Sequence, residues 1–554
     1  MKVNIFIVIS QLSKILAVVN FHPHIRYPGG TLKGETGKSL SGRDFYKFWC
    51  IPYGKAERFE PSVPADPWEG VRDATYCSQR CPMAGVMGLN DMFMEPPQDE
   101  DCLILNVFIP AKPQSKNALL PVLVYVHGGY FVMGSSLDYS SEIFLDEDIV
   151  LVTINYRLGA LGFLTSGDGI LEANLGMKDQ VLSLEWVKTF IHHFGGDPNR
   201  VTIMGESAGA ASIGLLLLSP IANGLFNQAI AHSGSAMVPF AIQSNPAETF
   251  KGFVTELNCT APSTEEAVTC LKSKDIQEIR AVVEKTKWFV EFLYPMFPAV
   301  ETVSTKNSRN FLPKHPREML KGGYFSHVPL IIGVNEDEGA LQGGFAIGDS
   351  EFMEDLNIRW IPLGGVAAGV DSKNVSKANL NAGLMKLRKY YFGDDTIELR
   401  HAQQLVDMFS DCWFVSGLDF TIRHHSKYAP VYPYIFTKKG AFQISGALVG
   451  QVLNRSVVSH AEELQYLFYK GFASSKKDLL FAERFLKLWT SFIATGIPSE
   501  TWGSEKIWPS AEKSSWDYKY YVLDDDTKIV QNPYKERARF HYDLDENEWS
   551  EKHK

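Results

Sequence analysis

Three short apolar runs free of charged side chains mark the chain: Leu120–Val126, Val201–Met204 and Val328–Val334. Continuous runs rich in β-branched residues suit strands covered on both faces, as in a parallel sheet, where no polar alternation is needed. Between the first two, Met177, Val181, Leu184, Val187, Ile191 and Phe194 recur at helical spacing, which predicts an amphipathic helix from Met177 to Phe194. Strands alternating with helices predict an α/β architecture with a mostly parallel sheet. A chain of 554 residues suggests three or four domains by length, yet no Pro/Gly/Ser linker, low-complexity tract or internal repeat divides it. Residues 20–554 therefore read as a single catalytic-sized domain.

The carboxyl ends of these strands carry the chemistry. The second run leads into Gly205-Glu206-Ser207-Ala208-Gly209 and a helix of small residues. Strand, Gly-x-Ser-x-Gly and helix in that order form the pattern of a nucleophile elbow, in which the serine occupies a strained turn and the flanking glycines avoid collisions with neighbouring backbone. Ser207 is thus the candidate nucleophile, and the helix that opens there directs free backbone N–H groups toward a developing oxyanion. The first run ends in His127-Gly128-Gly129-Tyr130-Phe131, whose paired glycines allow backbone N–H groups to approach a substrate oxygen.

A serine needs a base to take its proton and a carboxylate to orient that base. With a nucleophile elbow the chain order is serine, acid, histidine, so both partners are sought after residue 207. The third apolar run delivers Asn335-Glu336-Asp337-Glu338-Gly339 at its carboxyl end, where open α/β sheets place their sites. Composition alone leaves Glu336, Asp337 and Glu338 equal. Of the fourteen histidines, those after this cluster are His401, His424, His425, His460, His541 and His553. His553 and His541 fall in polar or charged tails, His424 and His425 in a basic helix end, and His401 on an expected exposed helix. His460, in Val457-Val458-Ser459-His460-Ala461-Glu462-Glu463-Leu464, falls at an expected loop-to-helix junction with Ser459 as cap, and is the candidate base.

With these motifs in place the chain resembles a family, the type-B carboxylesterases that include the cholinesterases, and most closely their insect carboxylesterase branch. The resemblance rests on blocks in family order: Gly42-Arg43-Asp44-Phe45, Ile51-Pro52-Tyr53-Gly54, Glu100 to Val107, Asn155 to Phe163, Asn174 to Gln180, Gly205 to Gly209 and Ser459 to Leu464. It spans roughly residues 28 to 525. It implies an α/β-hydrolase fold and hydrolysis of carboxylic esters through an acyl-enzyme, with Ser207 as nucleophile and His460 as base. The family pattern sets the triad acid directly before the glycine, which selects Glu338. It also implies oxyanion donors at the backbone N–H groups of Gly129, Tyr130 and Ala208, and no metal or organic cofactor. The family usually carries Gly or Ala where this chain has Tyr130; the N–H survives the change, but a bulky ring must find room beside it. By the same resemblance Cys77 is expected to pair with Cys102 and Cys259 with Cys270. That leaves Cys50, Cys81 and Cys412, of which at least one must be a free thiol or bridge to another chain.

Charge and termini narrow the partners. A net charge of −10 without a basic patch argues against nucleic acid. Small-molecule esters are the expected partners, neutral aliphatic or aromatic ones ahead of choline esters, since there is no Trp between Trp68 and Trp186 and the loop from Ala84 to Asp101 offers Met92, Phe93 and Met94 instead. A dedicated hormone or pheromone esterase is the alternative within the enzymes, although Glu206 departs from the Gln common in juvenile-hormone esterases. A non-catalytic adhesion protein of the same fold is disfavoured by the complete triad. Residues 1–19 read as an interrupted signal peptide, and the paired cysteines with the sequons at Asn258, Asn374 and Asn454 point to a secreted glycoprotein. No run of about 18 apolar residues spans a membrane.

Overall fold

The computed structural model describes residues 22–85, 98–113, 118–285, 294–301, 310–370, 375–440, 447–468, 475–498, 507–511, 513 and 515–549. The expected signal segment, the Met92–Met94 loop, Asn374 and His553 lie outside them. The chain is organised on one eleven-stranded sheet. Its strands are β1 (Glu35–Lys38), β2 (Asp44–Pro52), β3 (Ile104–Pro110), β4 (Leu120–Val126), β5 (Val150–Ile154), β6 (Gly196–Glu206), β7 (Gln228–His232), β8 (Leu330–Asn335), β9 (Val431–Phe436), β10 (Lys519–Leu523) and β11 (Lys528–Gln531). Across the sheet the order is β11-β10-β9-β8-β7-β6-β4-β5-β3-β2-β1. From β10 through to β5 every neighbouring pair is parallel. The flanking pairs β1/β2, β2/β3, β3/β5 and β10/β11 are antiparallel. This is the α/β-hydrolase arrangement, with the parallel strands in its middle.

The apolar runs are continuous because both sheet faces are covered. On β4, Val122, Val124 and Val126 enter one core while Leu123 and Tyr125 enter the other. On the first face lie helix α1 (Leu175–Phe190), through Met177, Val181, Leu184 and Val187, and helix α2 (Ala208–Leu218). The second face is covered by a long helix near the C-terminus (Lys476–Thr495), which buries Phe481, Phe485, Leu488, Trp489 and Phe492. The predicted helix from Met177 to Phe194 is α-helical to Phe190, tightens into a 3₁₀ turn over Ile191–Phe194, and stops at Gly195 in a left-handed conformation. The third apolar run becomes a regular strand at Leu330; Pro329 has no N–H to give the ladder, although its carbonyl accepts from Ala229 N–H at 3.0 Å. Two of the blocks that carry the family resemblance are joined by a buried ion pair. Arg157 Nε and Nη2 each donate to the Asp179 carboxylate at 2.7 Å, in bidentate geometry.

One expected disulfide is corrected. Cys77 bonds Cys50, not Cys102, and Cys102 bonds Cys81; Cys259–Cys270 is as expected. The chain path explains the exchange. Trp49 N–H donates to Ala74 O at 2.9 Å, which brings the segment containing Cys77 alongside Cys50. The Arg80–Gln98 bridge then carries Cys81 to Cys102. Cys412 is left as a buried free thiol.

Non-reducing peptide mapping should recover Cys50–Cys77, Cys81–Cys102 and Cys259–Cys270, and removing the Cys81–Cys102 bridge should lower stability by about 2–5 kcal/mol in denaturant titrations. Recovery of a Cys77–Cys102 peptide would contradict the pairing.

Candidate active site

Four elements bring their carboxyl-terminal ends together: β4 with the His127 loop, β6 with Ser207, β8 with the acidic cluster, and the segment after β9 that carries His460. Ser207 has φ 59° and ψ −120°, between the end of β6 and the first residue of α2. The turn is possible because of its glycines. A Cβ on Gly205 would lie 2.4 Å from the Gly209 carbonyl carbon, and one on Gly209 would lie 2.2 Å from Val126 O. A Cβ on Gly128 would stand 2.7 Å from Glu206 O and 3.2 Å from Ser207 Cβ, so the His127 loop runs directly against the elbow. Ser207 N–H donates to His232 O at 3.0 Å, tying the elbow to β7. The Ala208 N–H lies in the first turn of α2, where it has no intrahelical acceptor.

The His127 loop is wound by consecutive positive φ values, 104° at Gly129, 54° at Tyr130 and 61° at Phe131. Gly129 O accepts from both Val132 and Met133 N–H at 3.0 Å, which fixes the turn. Buried His127 stacks on Tyr156, and burial holds its ring down to about 4, so it is neutral. Its Nδ1 lies 2.9 Å from Gly128 O and must carry the proton, because a carbonyl can only accept.

The three acids of the cluster have separate fates. Glu336 is exposed. Asp337 accepts from Arg455 Nη1 and Nη2 at 2.9 and 2.6 Å and from Val458 N–H at 3.1 Å, and so clamps the segment leading to His460. Glu338 is fully buried, and its Oε2 accepts from His460 Nδ1 at 2.7 Å. Glu338 Oε1 accepts from Asn335 N–H at 2.7 Å and from Ser233 Oγ. With both oxygens committed, the carboxylate orients the imidazole and fixes the proton on Nδ1.

His460 precedes Ala461 (φ 67°) and a 3₁₀ helix over Glu462–Tyr466. Ser459 does not cap that helix. Its carbonyl instead accepts from Glu462 N–H and from Asn335 Nδ2. The ring lies against Phe414, centroids 4.9 Å apart. Of the other histidines, His401 and His541 are buried, contrary to the exposed helix and charged tail expected of them, and His541 Nε2 is 2.8 Å from Tyr391 Oη.

Sequence reasoning missed three participants. Glu206 Oε1 lies 3.0 Å from His460 Nε2 without a hydrogen bond between them, so the contact is Coulombic. Ser233 directly follows the buried strand β7, whose sequence Gln-Ala-Ile-Ala-His is not an apolar run and gave no signal for it. Glu463 accepts from Asn335 Nδ2 at 2.6 Å and lies 3.5 Å from His232 Nδ1. Trp489 Nε1–H donates to His232 Nε2 at 3.0 Å, which leaves the His232 proton on Nδ1 between Tyr434 Oη and Glu463. Burial by itself pushes the His460 imidazolium down, but Glu206, Glu338 and Glu463 outweigh it and raise the group to about 9. Burial raises Glu206 to about 8 against the attraction of His460. The two groups therefore titrate as a pair.

Comparisons with known proteins agree on one family. The family model described as Carboxylesterase family matches residues 22–541. The chain is similar to Esterase FE4 of Myzus persicae, 33% identical over 92% of this chain and 89% of that protein. It is 32% identical to the juvenile hormone esterase of Tribolium castaneum, over 89% of this chain and 88% of the relative. It is also 34% identical to the acylcarnitine hydrolase of Rattus norvegicus, over 88% of this chain and 83% of the relative.

Replacing Glu206 tests the electrostatics directly. An anion beside Nε2 stabilises the imidazolium, so Glu206→Gln should lower the pKa of His460 by about one pH unit or more. The downfield Nδ1–H proton resonance, tracked with pH in both proteins, reads the change. An unchanged or higher midpoint in the variant would contradict the assignment.

Proposed function

The chain belongs to the carboxylesterase family and is a carboxylic ester hydrolase, and from that premise we propose that it works through an acyl-enzyme on Ser207 with His460 and Glu338 completing a triad. The observation that carries this reading is the 2.7 Å bond from His460 Nδ1 to a fully buried Glu338, on a ring whose Nε2 faces the residue preceding Ser207. In the acylation step Ser207 Oγ attacks the ester carbonyl as His460 Nε2 takes its proton. The carbonyl oxygen becomes the oxyanion, received by the N–H groups of Gly129, Tyr130 and Ala208. His460 then protonates the departing alkoxide, takes a proton from water for deacylation, and returns it to Ser207 as the acid product leaves. Glu338 stays ionised throughout and balances the imidazolium.

Neutral aliphatic and aromatic esters are the proposed preferred substrates. Aromatic side chains stand around the site, with Phe414 on His460 and Phe240 and Trp413 around Tyr130. A choline ester draws part of its affinity from an aromatic face over its ammonium group, worth about 2 kcal/mol or more when desolvated. There is no Trp between Trp68 and Trp186 to provide one in the loop before Cys102.

Residues 20–554 are proposed as one catalytic domain, and secretion as its destination. Three disulfides support that destination, together with the exposure of the sequon residues Asn258 and Asn454. Among the described residues no helix is long and apolar enough to cross a membrane.

Ser207→Ala should lower kcat on the order of a million-fold with the fold retained. Glu338→Gln should also be severely impaired, whereas Asp337→Asn should keep kcat within a few-fold while losing stability, because its clamp is weakened and the catalytic pair is not. Steady-state kinetics with circular dichroism and denaturant titration check all three; a fully active, folded Ser207→Ala protein would overturn the nucleophile. Matched neutral and choline esters, assayed in competition, should show higher kcat/KM for the neutral ester, and the reverse order would overturn the substrate reading.

A further inference from the structure

We infer that the side chain of Tyr130, not only its backbone N–H, sets substrate specificity, by walling off the space for the acyl chain and restricting the enzyme to esters of short acids. The inference rests on the reading of Ser207 as nucleophile and of the Tyr130 N–H as an oxyanion donor. Both the N–H and the ring leave the same Cα. A carbonyl oxygen held at that N–H therefore has its own substituents within a side chain's reach of the phenol.

The direction of the ring is well defined. Tyr130 is 7% exposed and meets Phe240 edge-on, centroids 5.0 Å apart, and Trp413 at 6.3 Å and 77°. Its Oη accepts from Gln342 Nε2 at 3.5 Å. These partners come from three separate elements. Phe240 lies beyond β7, Gln342 on the helix that opens two residues after Glu338 (Ala340–Gly348), and Trp413 in a π-helical segment, Asp411–Val415. A ring gripped from three sides cannot swing aside without cost, since aromatic contacts of this kind contribute beyond their buried area.

The substituents of the tetrahedral intermediate assign the wall to one half of the substrate. In the tetrahedral intermediate the oxyanion takes the backbone donors, and the alkoxide must reach His460 Nε2 to be protonated. Around His460 the neighbouring ring is Phe414. The ring of Tyr130 instead stands with Phe240 and Trp413, and the wall is therefore assigned to the remaining substituent, the acyl carbon chain. The backbone at Tyr130 has a positive φ of 54°. A bulky residue in that conformation is disfavoured, and a glycine would relieve the strain while leaving the oxyanion N–H in place. What the tyrosine adds over glycine at this position is its ring.

The test is an acyl series with a fixed alcohol, p-nitrophenyl acetate, butyrate and octanoate, beside an alcohol series with a fixed acetyl group. Wild-type kcat/KM should fall from the short esters to the octanoate. Tyr130→Gly should raise the octanoate-to-acetate ratio by at least about tenfold, as expected when a steric limit on several methylenes is lifted. Tyr130→Phe, which keeps the ring, should retain the wild-type ratio within about twofold. Should Tyr130→Gly fail to fold, Phe240→Ala opens the same wall from the other side and carries the same expectation. An unchanged acyl ratio in an active, Ser207-dependent variant would overturn this inference and leave the triad reading intact. A shift confined to the alcohol series would overturn it equally. Activity that persists in Ser207→Ala would instead remove the reading beneath it.

Discussion

The approach of α2 to the end of β4 is the constraint on which the remainder of the site depends. With no side chain at Gly209, the helix seats where a Cβ would come within 2.2 Å of Val126 O. That contact sets the N-terminus of α2, and with it Ser207 and the Ala208 N–H, against the loop that carries Gly129 and Tyr130. A methyl group at Gly209 would force helix and strand apart, separating Ser207, the proposed nucleophile, from the proposed oxyanion donors at Gly129 and Tyr130. The surrounding core reinforces the seat: Ala208, Ala210 and Ala211 are fully buried, so the first turn of α2 has no room to shift sideways.

A second layer of organisation is electrostatic. Glu206, Glu338 and Glu463 gather around His460 and His232 with little access to water. Buried carboxylates are costly unless each is paired and hydrogen-bonded. Glu338 meets that requirement through Ser233, Asn335 and His460, and Glu463 through Asn335. Glu206 does so least, and its Oε1 rests against His460 without a hydrogen bond. The surplus of negative charge favours the imidazolium, the form His460 adopts in each transition state of the proposed mechanism, and opposes the neutral ring that mechanism requires at the start. The raised pair of ionisations is the consequence of that compromise.

Rigidity around the site comes from long-range ties. Asn335 alone connects the acid-bearing strand to Ser459 O and to Glu463, while Asp337 grips Arg455 and Val458. The segment carrying His460 is therefore held by the same loop that carries Glu338. Tyr130 obeys the same logic from the opposite wall, with partners drawn from three elements. The proposed chemistry is common to a large family, whereas a tyrosine stands here where that family usually carries Gly or Ala, and in the proposed reading its ring turns a backbone donor position into a boundary on the substrate.

Much of this was legible in the linear chain, and the reason is local. The apolar runs of β4, β6 and β8, the helical spacing of α1 and the glycines of the elbow each express a constraint acting within a few residues, so pattern alone located Ser207 and the His127 loop. The choice of Glu338 over its neighbours was legible only through family resemblance. In physical terms the three acids are told apart by which face of the loop after β8 turns inward, exposing Glu336 to water, Asp337 to Arg455 and Glu338 to His460. The disulfide exchange, the roles of Ser233 and Glu463 and the contact of Glu206 with the base were decided by tertiary structure. They join segments separated by tens to hundreds of residues, and no local periodicity encodes which distant partner a side chain meets. Tyr130 shows both halves of the division. The sequence by itself determined that a bulky residue stands where a small one is usual, and only the packing of Phe240, Trp413 and Gln342 decided where its ring goes.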